Sequence, residues 1–272
     1  MPAKRIVMIG GCPRSGTTAL LQHLNSSPGV FISSEENLFK MMPRMRDILG
    51  TRERRQGIAK GRNRQLSARE TMSFQDMQQH TFSEAGAWPT VEFMYEWHHA
   101  QLQPGVPLVL WGDKFPNYFR QLENINLIPN AAYIHITRNP LDVVNSMIRR
   151  TEMARQGKDW WKAITNLQDM ISRWSEAFST VQKHSADPRV LHIHYEQLVF
   201  ETTGTTRLLE SFLDETLSGS SKLISDPKLH HERNYLNPEI ITAISEHPVV
   251  KEYLIHCQQE NIPLTWPTEP LA

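Results

Sequence analysis

The sequence predicts a single α/β fold in which a parallel sheet is flanked by helices. Five short apolar runs are separated by turn residues or by segments with helical spacing. These runs are 6–9, 30–32, 107–111, 131–137 and 190–195. Buried parallel strands have near-continuous apolar sequences because helices cover both faces of the sheet. A chain of 272 residues is long enough to bury a substantial core, and we predict one domain over 1–272.

The first run leads into a candidate phosphate site at 5–18, R-I-V-M-I-G-G-C-P-R-S-G-T-T. A strand, a glycine-bearing loop and a helix over 17–25 follow one another here. Backbone N–H groups converge in such a loop, and the helix dipole favours an anion there. Gly11 and Gly16 fit the spacing G-x-x-x-x-G-K-[ST], but Thr17 replaces the lysine that a nucleoside triphosphate site needs. The pattern predicts a P-loop-type fold whose loop lacks the side chain that ATP binding requires. The alternative is a glycine turn that binds no ligand.

Residues 13–18, P-R-S-G-T-T, resemble the 5′-phosphosulfate loop of sulfotransferases that use 3′-phosphoadenosine 5′-phosphosulfate (PAPS). This resemblance implies that five consecutive residues bind the 5′-phosphosulfate: Arg14, Ser15, Gly16, Thr17 and Thr18. It also implies PAPS as the cosubstrate. No metal is expected, because His98 and His99 lack partners at metal-ligand spacing and the sequence has no C-x-x-C pair. Cys12 is interpreted as a small filler beside the ligand, with a reactive thiol as the alternative.

The second run is followed by S-S-E-E-N at 33–37. Here the resemblance narrows to the tyrosylprotein or Golgi-type and bacterial sulfotransferases, and Glu35 matches their carboxylate beside the acceptor hydroxyl. A hydroxyl is a weak nucleophile until a positioned base takes its proton, so Glu35 is the candidate base. The alternative is that Glu35 and Glu36 are solvated acids at a helix start.

The segment from about 38 to 107 is expected to be irregular and variable. It is rich in Arg, and Glu53 is the only acid within the basic run 52–69. We interpret the segment as an inserted acceptor-side cap whose positive field attracts an anionic ligand, a solvated helix face being the alternative. Four aromatic residues could line an acceptor cleft or belong to the core: Trp88, Phe93, Tyr95 and Trp97.

The third run leads into G-D-K-F-P at 112–116. The resemblance implies that Lys114 stabilises charge on the transferring sulfuryl group and on the bridging oxygen. A surface lysine in a turn is the alternative reading. Asp113 could orient Lys114 or act as another base.

The fourth run leads into R-N-P-L-D-V-V-N-S at 138–146. In the family, an arginine and a serine at this spacing bind the 3′-phosphate, which implies this role for Arg138 and Ser146. Arg150 matches an additional arginine of some members. Pro140 suits the first turn of a helix, and Arg138 offers a guanidinium fork at the strand end.

The last third of the chain carries weaker signals. An amphipathic helix is predicted over 160–184 and another helix around 205–213. The resemblance places Tyr195 near the adenine, and a core tyrosine at a strand end is the alternative. Lys228 or Arg233 could close over the 3′-phosphate. His192 and His194 share a strand face and are expected to be hydrogen-bonded neutral imidazoles.

Composition limits the function classes. The formal net charge is zero, which argues against nucleic-acid binding, and two cysteines form neither a disulfide framework nor a zinc motif. No apolar run approaches a membrane span and no signal segment is evident, so a cytoplasmic location is expected. The predicted function is sulfuryl transfer from PAPS to an acceptor hydroxyl of unspecified class. The alternatives are a P-loop kinase and a non-catalytic nucleotide-binding module; the sequence indicates no oligomeric state.

Overall fold

A computed structural model describes residues 5–38, 87–128, 130–158, 166–218 and 235–264. The basic run 52–69, Lys228, Arg233 and most of the predicted cap fall outside these ranges. Five strands form one parallel sheet: β1 (Arg5–Gly10), β2 (Val30–Ser34), β3 (Leu110–Lys114), β4 (Ala131–Thr137) and β5 (Val190–His194).

Helices connect and cover the strands within the described ranges. They are α1 (Thr17–Asn25), α2 (Ala87–Leu102), α3 (Pro140–Arg155), α4 (Leu167–Lys183), α5 (Tyr195–Phe200), α6 (Thr202–Leu213), α7 (Pro238–Glu246) and α8 (Pro248–Gln259). A 3₁₀ segment, Pro116–Leu127, links β3 to β4. The predicted parallel α/β fold with flanking helices is therefore confirmed.

The strand order is β2-β3-β1-β4-β5, which makes β1 the central strand. Ile9 of β1 is level with Lys114 of β3 on one side and with Ile134 of β4 on the other. All five strands run in the same direction, so their carboxyl ends meet at one edge of the sheet. Ligands of open parallel sheets bind at this edge, where the strand order changes direction.

Alternate residues of β1 supply the two sides of the core. Val7 and Ile9 pack with α1 and α6 on one face. Ile6 and Met8 pack with α2 and the 3₁₀ segment on the opposite face. A third cluster lies between α3, α4, α7 and α8. Burial on both faces explains why the strand sequences are continuously apolar rather than alternating.

The prediction of irregular structure over 38–107 is wrong for its last part, because Ala87–Leu102 forms α2. Val91, Tyr95 and His99 are buried at intervals of four residues, which places them on one side of the helix. Pro89 lies in the first turn, where proline is tolerated. Within the described ranges, no helix combines the length and apolar character that crossing a bilayer requires.

The approach of β3 to β1 depends on Gly112. A Cβ atom at this position would overlap the carbonyl oxygen of Val7, so a side chain would push the two strands apart. Replacing Gly112 with alanine should therefore lower the free energy of unfolding by about 1–3 kcal/mol.

Gly204 is exposed in α6, and a Cβ atom at this position would meet nothing within 4 Å. Gly204→Ala should instead raise stability by roughly 0.5–1 kcal/mol. Urea unfolding measures the change in the free energy of unfolding for both variants. An unchanged free energy of unfolding for Gly112→Ala would contradict the close packing of β3 against β1.

Candidate nucleotide and sulfuryl-transfer site

The predicted nucleotide-binding and catalytic residues that the structure describes lie at the carboxyl edge of the sheet or on the helix that follows it. The loop residues Arg14 to Thr18 follow β1, and Glu35 follows β2. Lys114 ends β3, Arg138 follows β4, and Tyr195 follows β5. Ser146 and Arg150 lie on α3, one helical turn apart. Residues that are far apart in the sequence are thus brought to one edge by the parallel arrangement.

The loop after β1 has the backbone geometry of an anion cradle. Gly16 caps α1 with a φ of 95°, and Arg14 also adopts a positive φ of 77°. No side chain caps the first turn of α1, so its N–H groups point into the loop region. The Ser15 hydroxyl is buried and has no hydrogen-bond partner among the described residues. This arrangement provides donors for a phosphate or sulfate group.

The ring of Tyr195 joins the loop to the strand-end arginine. A Cβ atom on Gly16 would overlap Cδ2 of Tyr195, so the ring lies directly against the glycine backbone. The Arg138 guanidinium carbon lies 4.5 Å from the centroid of the same ring. Gly16 and Arg138 therefore lie on the same side of the sheet edge, in contact with a shared aromatic ring. This contact brings together the two segments that the sequence predicts, separately, to be anion sites.

A second contact links the same two regions. Nε of Arg14 donates to Oγ of Ser146 at 2.9 Å, so the β1 loop is tied to α3. Arg150 lies four residues beyond Ser146, on the same face of α3. The β1 loop and the α3 segment thus supply one group of cationic and hydroxyl side chains.

The backbone around Arg138 is held firmly from three directions. The Trp174 indole N–H donates to the carbonyl oxygen of Arg138 at 2.9 Å. The next N–H, that of Asn139, donates to Oε1 of Glu196 at 2.8 Å. The Asn139 side chain accepts from the N–H of Leu141 and caps α3, with Pro140 as the first helical residue. The start of α3 is therefore fixed relative to α5 and α4.

Lys114 and Glu35 form an ion pair, with Nζ 2.9 Å from Oε1. The lysine side chain is 3% exposed and the glutamate side chain is 50% exposed. The Glu35 N–H also donates to the carbonyl oxygen of Lys114 at 2.7 Å. The pair thus presents a half-exposed carboxylate beside a buried ammonium group. The interpretation of Lys114 as a surface lysine is wrong, because the residue is buried at the end of β3.

Asp113 fixes the segment that carries Glu35. Its carboxylate accepts from the hydroxyl of Ser33 at 2.8 Å and from the N–H groups of Glu36 and Asn37 at 3.2 and 3.0 Å. The Tyr118 hydroxyl donates to the same carboxylate. Burial and the neighbouring carboxylate raise the pKa of Tyr118, which keeps this hydroxyl protonated. Asp113 is fully buried with its oxygens occupied, which disfavours it as an alternative base.

Glu35 and Asn37 adopt left-handed backbone conformations, with φ values of 70° and 54°. Such conformations are strained for residues other than glycine and persist only where surrounding contacts enforce them. The hydrogen bonds that the backbone N–H groups of residues 36 and 37 donate to Asp113 supply that enforcement. The sequence singled out Asp113 as a group that could orient Lys114 or act as a base, but not as the group that holds residues 36 and 37. This role depends on how residues 33–37 fold around Asp113, which the local sequence does not show.

A family model described as the sulfotransferase family matches residues 7–219 of this chain. The chain belongs to the sulfotransferase family. The protein is 26% identical over 230 residues to protein-tyrosine sulfotransferase 1 of Danio rerio, covering 84% of this chain and 56% of that protein. It is 25% identical over 237 residues to the protein-tyrosine sulfotransferase of Drosophila melanogaster, covering 84% and 40%. It thus spans about half the length of these relatives.

Among solved structures, this sulfotransferase-family chain is similar to the sulfotransferase domain of the olefin synthase from Synechococcus PCC 7002. The TM-score is 0.54 at 18% identity, and the match covers 97% of this chain and 98% of that domain. At this identity the likeness concerns the fold. It agrees with the parallel sheet and flanking helices described above.

Cys12 in the loop is a packing residue. Its side chain is buried against α3 and α4, and burial raises the pKa of the thiol to about 12. A thiol with such a pKa has almost no thiolate at neutral pH and is a poor nucleophile. Its place in the core agrees with the interpretation of Cys12 as a small filler, and its position beside a ligand stays a prediction.

The contact between Gly16 and Tyr195 yields a prediction about nucleotide binding. Gly16→Ala would add a Cβ that displaces the ring and would strain a residue with a positive φ. We expect the affinity for 3′,5′-adenosine bisphosphate to fall at least about tenfold on calorimetry, which corresponds to ~1.4 kcal/mol. Gly105→Ala is the matched control, because Gly105 has a φ of +81° and open space around its Cβ position. Equal affinities for the two variants would refute the role of the Tyr195 contact.

Proposed function

We propose that this chain transfers the sulfuryl group of PAPS to an acceptor hydroxyl. The proposal rests on one observation above all: Tyr195 contacts both Gly16 of the β1 loop and the guanidinium of Arg138. PAPS carries anionic groups at both ends of its ribose, so a protein that binds it needs two anion sites close together. The family membership and the fold support the same conclusion.

The β1 loop is the site for the 5′-phosphosulfate. The uncapped N–H groups of the first turn of α1 and the buried Ser15 hydroxyl would donate to its oxygens. Thr17 stands where a triphosphate site has its lysine, and this residue is buried. The kinase alternative is therefore disfavoured, because the loop lacks the ammonium group that contacts the terminal phosphates.

The 3′-phosphate would bind between Arg138, Ser146 and Arg150. Arg138 is held in place through its carbonyl oxygen and the next N–H, so its side chain starts from a fixed position. The Arg14–Ser146 hydrogen bond connects this site to the 5′ loop. The role of Tyr195 beside the adenine remains a prediction, and its contact with Gly16 places its ring next to the loop.

The proposed reaction is an in-line displacement at sulfur. The acceptor oxygen forms a bond to sulfur while the bond from sulfur to the bridging phosphate oxygen breaks. Glu35 takes the proton of the acceptor hydroxyl, and Lys114 stabilises the negative charge that develops on the bridging oxygen. The products are a sulfated acceptor and 3′,5′-adenosine bisphosphate. The 2.9 Å ion pair holds both groups at one place before substrate binds.

We propose a hydroxyl-bearing acceptor, with tyrosine hydroxyls the first candidates because the curated relatives are named protein-tyrosine sulfotransferases.

Cytoplasmic location stays a proposal, supported by two free, buried cysteines, which suit a reducing compartment. A non-catalytic nucleotide-binding module would keep the nucleotide contacts without a base. The half-exposed carboxylate of Glu35 beside Lys114 favours catalysis.

Transfer from labelled donors tests the proposed function directly. We expect the purified chain to move ³⁵S from PAPS to members of a panel of tyrosine peptides, sugars and simple alcohols, and to move no ³²P from γ-labelled ATP. Binding of 3′,5′-adenosine bisphosphate should accompany this activity. Transfer from ATP would favour the kinase, and tight nucleotide binding without turnover across the panel would favour the non-catalytic module.

Glu35→Gln tests the identity of the base. The amide keeps an oxygen near Lys114 but cannot accept the proton, so we expect turnover to fall roughly 10²–10⁴-fold while affinity for 3′,5′-adenosine bisphosphate stays near that of the native chain. Glu36→Gln is the matched control, since Glu36 is an exposed acid adjacent in sequence. Near-normal turnover of Glu35→Gln would assign proton removal to another group.

A further inference from the structure

We propose that His192, His194 and His256 bind one divalent transition-metal ion of the Zn²⁺ class. One ring nitrogen from each residue lies within 4.8 Å of one from each of the others. His192 and His194 come from β5, and His256 comes from α8 near the end of the described chain. The sequence shows the first two on one strand face, but only the packing of α8 adds the third.

Two of the nitrogens are already at ligand spacing. Nε2 of His194 lies 3.3 Å from Nε2 of His256. Two nitrogens bound at about 2.0–2.1 Å to one tetrahedral Zn²⁺ lie ~3.4 Å apart. A metal ion would therefore replace the proton that these two rings now share, without requiring them to separate.

His192 has the hydrogen bond typical of a ligating imidazole. Its Nε2 lies 2.8 Å from the Thr137 hydroxyl, which can accept the ring N–H. Metal-bound histidines usually donate their other N–H to such a group, which fixes the tautomer. Nδ1 of His192 then carries the lone pair, and its contact with Nε2 of Gln182 is long at 3.5 Å. This contact is easily given up for a metal.

Aromatic side chains surround the three imidazoles. The Phe178 ring lies beside His192 and His256, and the Tyr253 ring stacks on His194. Neutral imidazoles are the form that binds Zn²⁺, Cu²⁺ and Ni²⁺.

His194 is 3% exposed, and its Nδ1 has no hydrogen-bond partner among the described residues. A metal bound through Nε2 would leave the ring proton on Nδ1, so it would compensate the burial of this ring at Nε2 alone. His192 and His256 are only half-buried, so an ion can reach the cluster from solvent and retain a water as its fourth ligand.

The three histidines are not part of the proposed sulfuryl-transfer site, but they lie close to it. His192 and His194 face α4 and α8, whereas Ile193 between them faces the core of the opposite side of the sheet. His194 directly precedes Tyr195, and Thr137 directly precedes Arg138. A metal ion bound there would brace the ends of β4 and β5 from the face that α4 and α8 cover.

Zn²⁺ titration of the full chain tests this proposal. The protein should be free of any histidine tag and stripped with chelator, and calorimetry should then show one Zn²⁺ per chain. His256→Ala and His256→Gln should each weaken binding at least about tenfold. His98→Ala is the matched control, because His98 is exposed on α2 and outside the cluster. Unchanged affinity in both His256 variants, or no binding by the native chain, would overturn the proposal.

Two further measurements do not depend on how the variants fold. Co²⁺ added to the native chain should give the intense visible bands of a four-coordinate ion, and weak six-coordinate bands would contradict a three-imidazole site. At a hundredfold excess over Kd, Zn²⁺ should raise the melting temperature of the native chain by roughly 5 °C. A melting temperature that Zn²⁺ leaves unchanged would mean that the cluster is a stack of neutral rings.

Discussion

The proposed site depends on the contacts of the Tyr195 ring with Gly16 and Arg138. The ring lies against the backbone of Gly16 on one side and under the guanidinium of Arg138 on the other. The ring thereby sets the spacing between a loop that follows the first strand and an arginine that follows the fourth. Gly16 must be glycine both for its positive φ and for the room that the ring occupies. One side chain at the start of α5 thus sets the spacing between the two proposed anion sites.

A second constraint controls the acceptor side. Asp113 is buried at the end of β3 and accepts hydrogen bonds from Ser33, Glu36 and Asn37. These bonds hold the chain after β2 in a left-handed turn, and the turn directs Glu35 toward Lys114. The carboxylate of Asp113 therefore positions Glu35 and is not itself the candidate base. A strained backbone beside a candidate base is where preorganisation is expected, because the surrounding hydrogen bonds prevent the turn from relaxing.

Much of the fold and the site could be predicted from local signals. The helix over 17–25, the strand 131–137 and the proline that starts α3 were located to the residue, because glycine, proline and continuous apolar runs mark boundaries strongly. The helix Ala87–Leu102 was missed because its aromatic residues and histidines obscure the helical period. The third strand begins three residues later than predicted, since pairing with two neighbours rather than apolar content sets its extent.

The sequence by itself determined the chemical types at the site: a glycine loop without a lysine, an arginine and a serine two helical turns apart, a lysine at a strand end and a glutamate after another strand. It could do so because those signals are short-range and depend on which residues follow a strand. Only the tertiary structure decided that Arg14 bonds to Ser146, that Lys114 is buried against Glu35, and that His256 joins His192 and His194. These contacts join residues 62 to 132 positions apart. Such partners are chosen by strand order and helix packing, and local sequence does not encode either.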